Sequence, residues 1–209
     1  SSSQMISYEL GLGLSVIPLF LIVGHLNLPS VVQYQIENGW LALPFVGGQF
    51  LLPGWQTLVL WIPLLISFLV FTISMFAETN RLPFDLPEAE TELVGGYHTE
   101  YSSMKFALFF LGEYAAMIAG AAVLVTLFLG GWSLPYVPNG EDSLFWGLVN
   151  IGAFFAKVAA VLFFFIWVRW TLPRFRFDQL MKLGWVYIFE IAFINIFLTA
   201  FLLAFLPQG

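Results

Sequence analysis

Five long apolar runs dominate the chain, roughly 8–26, 57–77, 105–129, 143–170 and 183–206. Each is about as long as the ~20 residues an α-helix needs to cross the hydrocarbon of a bilayer. The apolar positions are continuous and do not alternate, so the runs predict helices and not barrel strands. Pro18 and Pro63 fall inside the first two runs, where a neighbouring helix or water can satisfy the carbonyl each one frees. The pattern predicts an all-α, polytopic transmembrane bundle of five spans, a single domain over 1–209. No internal repeat or low-complexity tract is visible, so an inverted-repeat transporter gains no support.

The connections differ sharply in charge. Of the seven Lys and Arg residues, Arg81, Lys105, Arg169, Arg174, Arg176 and Lys182 all fall at the second and fourth connections, and none falls in the first or third. The positive-inside rule then puts the N-terminus and the basic connections inside and the C-terminus outside. The two outside connections are rich in Gly, Pro and Trp (Asn38-Gly39-Trp40, Pro53-Gly54-Trp55, Gly131-Trp132) and read as interfacial caps.

Composition agrees with a membrane class. The chain is 60% hydrophobic and only 10% charged, where a soluble domain carries about 25% charge. The net charge of −6 argues against nucleic acid as a partner. There is no cysteine, which excludes disulfides, thioether-bound haem and thiolate-held iron–sulfur clusters. His25 and His98 lie too far apart for a metal motif, so no metal site is expected. The first residues carry neither a positive segment nor a cleavage site and do not read as a signal peptide. A start at Ser-Ser-Ser-Gln reads as a fragment of a longer chain.

The connection 78–104 is the most polar part of the sequence. It holds six carboxylates: Glu78, Asp85, Glu88, Glu90, Glu92 and Glu100. Asp85 and Glu88 around Pro87 suit a capping box for a short helix that would close at Gly95-Gly96. Glu88 and Glu92 then share a helix face, and like charges held close in a low dielectric push at least one pKa upward. That suits proton storage and relay; a solvated acidic loop is the plainer alternative. His98, between Tyr97 and Glu100, is also placed for proton work.

Charge continues into the spans. Glu113 is expected about two turns into the third span, Glu190 similarly in the fifth, Glu9 at the mouth of the first and Lys157 near the middle of the fourth. A charge at the centre of a membrane helix costs roughly 2.5–3.5 kcal/mol on insertion scales. Lys157 cannot easily snorkel and calls for a partner carboxylate or a wet cavity; a buried ion pair that only fixes packing is the simpler alternative. The basic cluster Arg169, Arg174, Arg176 and Lys182, with Asp178, reads first as an interfacial anchor and second as a docking surface or polar opening.

At this point the residues carry a resemblance. The stretch Ala77-Glu78-Thr79-Asn80-Arg81-Leu82-Pro83-Phe84-Asp85-Leu86-Pro87-Glu88-Ala89-Glu90-Thr91-Glu92-Leu93-Val94-Gly95-Gly96-Tyr97 closely resembles a hallmark loop of one family. That family is the quinone-site membrane subunit of proton-pumping NADH:quinone oxidoreductase, respiratory complex I. Gln4-Met5-Ile6-Ser7-Tyr8-Glu9, Gly112-Glu113-Tyr114 and Arg169-Trp170-Thr171-Leu172-Pro173-Arg174-Phe175-Arg176-Phe177-Asp178-Gln179 look like further signatures of the same family.

The resemblance implies the C-terminal portion of a subunit of about eight spans. It implies a subunit that forms part of a quinone chamber and couples quinone reduction to proton translocation, without catalysing anything alone. Quinone would be the substrate, with no cofactor on this chain and with FMN and iron–sulfur clusters on partner subunits. The implied partners are the peripheral-arm subunits at the quinone site, the neighbouring proton-channel membrane subunits, and lipid. By the same likeness Glu9, Glu78, Glu88, Glu90, Glu92, Glu100 and Glu113 match the acidic path, with Lys157 and Glu190 matched more loosely. Arg81, Phe84, Asp85, His98, Arg169, Arg174, Arg176 and Asp178 match the chamber or subunit interface. A multi-pass protein of a bacterial plasma membrane is implied, with organelle inner membrane and thylakoid as alternatives. The nearest rival is the homologous membrane subunit of a proton-pumping nickel–iron hydrogenase. A stand-alone transporter and a purely structural anchor are the rivals from other classes.

Overall fold

A computed structural model describes residues 2–43, 46, 54–79, 103–135, 144–171, 173 and 176–206. The described elements are helical: α1 (Ser2–Val23), α2 (Leu28–Asn38), α3 (Gly54–Glu78), α4 (Ser103–Phe128), α5 (Leu144–Thr171), α6 (Phe177–Lys182), a π-helical turn (Leu183–Ile188) and α7 (Phe189–Phe205). Among the described residues, five stretches are long and apolar enough to cross a membrane: Ile6–Val23, Leu58–Glu78, Phe110–Phe128, Leu144–Thr171 and Asp178–Phe205. They fall on the five runs read from the sequence. The protein is an integral membrane protein of helical type.

α1, α3 and α7 form the tightly packed centre, while α4 and α5 pair beside them. Between helices in lipid there is little hydrophobic gain, so close approach depends on small residues and on hydrogen bonds. Both are present. Gly11 of α1 leaves room for Ile188 and Ser74, Gly184 lies on Ser7, and a Cβ at Gly120 would overlap the Met75 side chain. Asn195 of α7, buried, donates to the Pro63 carbonyl and to Ser67 Oγ, each at 2.9 Å. It thereby fastens α7 to the proline turn of α3.

The two larger apolar cores among the described residues sit at opposite ends of the bundle. One gathers Tyr8, Met75, Phe76, Met117, Phe165, Leu180 and Ile188. The other gathers Leu19, Val31, Leu41, Phe71, Leu124 and Phe128. The outward faces of α5 and α7 carry Phe145, Phe155, Phe163, Phe193, Phe197 and Phe201, all exposed, as helices bathed in acyl chains require.

The first connection contains an element that its interfacial-cap reading did not include. α2 starts at Asn27, whose side chain accepts from Ser30 N at 3.1 Å, and it stops at Gly39, where φ is +93°. A polar N-cap, an early proline and a glycine stop are the ordinary signals of a short helix.

Candidate functional site

Chain direction brings several of the charged residues to one end. α1 enters at the end where α3 leaves, so Glu9 and Glu78 come close enough for their carboxylates to interact electrostatically. Glu9 is exposed, while Glu78 is half-buried with Oε2 unpaired among the described residues. α6 is held against α1 at this end by Tyr8, whose hydroxyl donates to the Leu180 carbonyl at 2.8 Å. Arg176 caps α6 through its backbone N–H, which donates to Gln179 Oε1 at 3.2 Å. Arg176 and Asp178 are exposed there.

A cavity of about 310 Å³ opens at the same end, lined by Phe76, Tyr114, Met117, Phe165, Ile166, Arg169 and Trp170. Phe76 and Phe165 meet with ring centroids 4.2 Å apart and planes tilted by 47°, which fixes one wall. Phe76 stands two residues before Glu78, and Tyr114 follows Glu113, which is itself half-buried on α4. Arg169 is exposed in the last turn of α5. The result is an apolar, aromatic hollow with one guanidinium at its edge and carboxylates on the adjoining turns. Such a hollow suits a flat, largely apolar ligand with polar groups at one end.

Glu190 is exposed at the start of α7. Arg81, Phe84, Asp85, Glu88, Glu90, Glu92, His98, Glu100 and Arg174 lie outside the described residues, as does the short helix expected after Asp85. Among the described residues no group of His, Cys, Asp and Glu could hold a metal ion.

Lys157 differs most from its expected surroundings. In place of a carboxylate or a wet cavity, its ammonium donates to three main-chain carbonyls, Leu129 at 2.8 Å, Gly131 at 3.1 Å and Ser133 at 2.5 Å. The Trp40 ring lies over it, 4.1 Å from Nζ to the centroid. The contact is at the end of α4 remote from Glu113, so the structure does not bring Lys157 to it. Sequence reasoning gave no role to its neighbours Gln35 and Ser133, nor to Asn195, and read Trp40 only as part of an interfacial cap. The available signal was a polar residue in an otherwise apolar setting, which in a membrane implies an internal partner.

The fold and the site together define a polytopic helical membrane protein with a charge-edged aromatic cavity at one end. The particular family follows from comparison: a family model described as NADH dehydrogenase matches residues 1–200, and the chain belongs to that family. It is 47% identical over 204 residues to an NADH-quinone oxidoreductase subunit of Koribacter versatilis, covering 98% of this chain and 53% of that protein. It is 46% identical over 207 residues to NADH-quinone oxidoreductase subunit 8 of Rhodothermus marinus, covering 96% and 56%. It is 46% identical over 204 residues to NADH-quinone oxidoreductase subunit 8 of Thermus thermophilus, covering 98% and 48%. The chain thus spans about half the length of the curated relatives it matches.

Proposed function

We propose that this chain is part of the membrane subunit of an NADH:quinone oxidoreductase, where it walls a quinone chamber and couples quinone reduction to proton translocation. The observation that carries the reading is the 310 Å³ aromatic cavity with Arg169 at its edge and Glu9, Glu78 and Glu113 on the adjoining helix turns. The relatives' names support it by supplying the reaction class. In this reading the acid-bearing end faces the inside of a bacterial plasma membrane, and the chain's N-terminus is on that side.

Electrons reach the quinone from FMN and iron–sulfur clusters on partner subunits of the peripheral arm. Two electrons and two protons convert a quinone to its quinol. This chain's own residues do the rest. Phe76, Phe165 and Trp170 hold the ring and tail out of water, and Arg169 meets the ring oxygens where negative charge develops. Arg81, Phe84, Asp85, His98, Arg174, Arg176 and Asp178 form the adjoining chamber and subunit interface. Charge in a low-dielectric region acts over several ångströms, so reduction biases protonation of Glu88, Glu90, Glu92 and Glu100. Protons then move through Glu78, Glu9 and Glu113 toward neighbouring proton-channel subunits, with Lys157 as the fixed positive charge beyond that path.

The test is the pair Glu88→Gln with Glu92→Gln in the full-length subunit within its complex. NADH-driven proton translocation with a short-chain quinone should fall on the order of 100-fold, the scale of a lost proton-transfer group. Unchanged reduction and translocation would leave only an anchoring role.

A further inference from the structure

The end of the bundle remote from Glu9 and Glu78 holds a densely bonded polar cluster that the proton path above does not use. α4 ends there, and its last carbonyls have no partner within the helix and need donors. Thr126 O accepts from Gln35 Nε2 at 3.0 Å, and Phe128 O accepts from Ala42 N at 3.0 Å. Leu129, Gly131 and Ser133 all accept from Lys157 Nζ. Gln35 Oε1 accepts in turn from Gly130 N at 2.9 Å and Leu41 N at 3.3 Å. Trp40 covers the ammonium and donates from Nε1 to Ser133 Oγ at 3.3 Å.

Three carbonyl acceptors engage all three N–H groups of an ammonium. A neutral amine has only two, so the geometry specifies the protonated form and leaves no lone pair to take a further proton. Each of these partners is uncharged, so the positive charge is not cancelled by an ion pair with any of them. A proton crossing this layer would need groups that both accept and donate. It would meet instead occupied carbonyls, an indole face and a fixed cation.

We infer that this cluster is an electrostatic seal, in which Lys157 stops protons from crossing the bundle at the far end of α4. The same logic excludes protons from pores in which a fixed cation stands at the constriction. Its purpose rests on the proton-handling reading above: protons moved along the acids stay on their own side and leave sideways. The seal itself is a property of the resting protein and needs no turnover to be seen.

The experiment uses the full chain in sealed vesicles of its native membrane, with no electron donor present. A potassium diffusion potential drives protons inward, a pH dye reports the flux, and immunoblotting normalises it to the amount of assembled protein. Lys157→Met and Lys157→Gln should each raise passive proton flux about tenfold, the effect of removing one charge in a partly screened interior. Lys157→Arg should hold the parent flux. The Gln variant keeps donors for the carbonyls, so it reads out the charge even where the Met variant assembles poorly. Parent flux in the neutral variants, or a leak in the Arg variant equal to theirs, overturns the seal. Because the flux is measured at rest, failure of the glutamate test of the proposed function leaves this result readable.

Discussion

Gln35 is the side chain on which the junction of α2 and α4 most depends. It is fully buried, and its amide joins four main-chain groups: Thr126 O and Val31 O as acceptors, Gly130 N and Leu41 N as donors. Gln35→Met keeps length and volume while removing both halves of the amide. Gly130 N, Leu41 N and Thr126 O then lose these partners in a buried setting. A buried polar group left unsatisfied costs about 1–3 kcal/mol. The bond to Leu41 is long at 3.3 Å, so the expected loss is about 3–5 kcal/mol and not the upper sum. The assay is unfolding of the full chain in mixed micelles under increasing SDS, followed by tryptophan fluorescence. A loss smaller than about 0.5 kcal/mol, the range of ordinary surface changes, would refute the assignment of Gln35 as the keystone of that junction.

Two further outcomes can be checked on the same material. Asn195→Leu removes the bonds to Pro63 O and Ser67 Oγ; membrane hydrogen bonds average about 0.6 and reach about 1.7 kcal/mol each. The same SDS titration should show a loss near 1–2 kcal/mol, and a gain would refute it. Tyr34, on α2 outside the spans, has its phenol pushed above the usual tyrosine range by burial. Because the folded value is the higher one, its contribution to stability is complete below the ordinary tyrosine pKa and is lost as pH rises through the raised value. The late-titrating part of the phenolate absorbance should therefore shrink by one tyrosine in Tyr34→Phe. Titration of Tyr34 with the free residues would contradict its burial.

The spans were legible because lipid imposes a simple code: every backbone group satisfied internally and an apolar surface outside. The end at which Glu9, Glu78 and Arg169 meet was legible too, since the parity of the spans sorts their ends. Lys157 was legible only as an expense. Its acceptors are main-chain carbonyls of Leu129, Gly131 and Ser133, and any residue supplies a carbonyl, so no side-chain pattern could have named them. α2 lay hidden for a different reason. Its polar residues Gln33, Gln35 and Glu37 broke the apolar run, and hydropathy alone discards such a segment although Asn27, Pro29 and Gly39 mark its ends. The cavity depends on Phe76, Met117 and Phe165, which share no motif and meet only because α3, α4 and α5 converge.

The π-helical turn at Leu183–Ile188 has a consequence for how the last span is wound. Leu180, Gly184, Ile188 and Ala192 are all buried, at steps of four. In a regular α-helix such steps drift around the axis, because a turn takes 3.6 residues. The wider turn takes up that drift, so one face stays pointed at α1 from the Tyr8 anchor into α7. A π turn amounts to one residue inserted into an α-helix. Forcing all six residues Leu183–Ile188 to wind as ordinary α-helix would swing everything before them by about 100° relative to α7, whereas deleting one of them would give an ordinary α-helix with its two ends still aimed as they are. The aim of the whole cap is thus set by one residue's worth of slack, much as a single washer sets the angle of a bolt head.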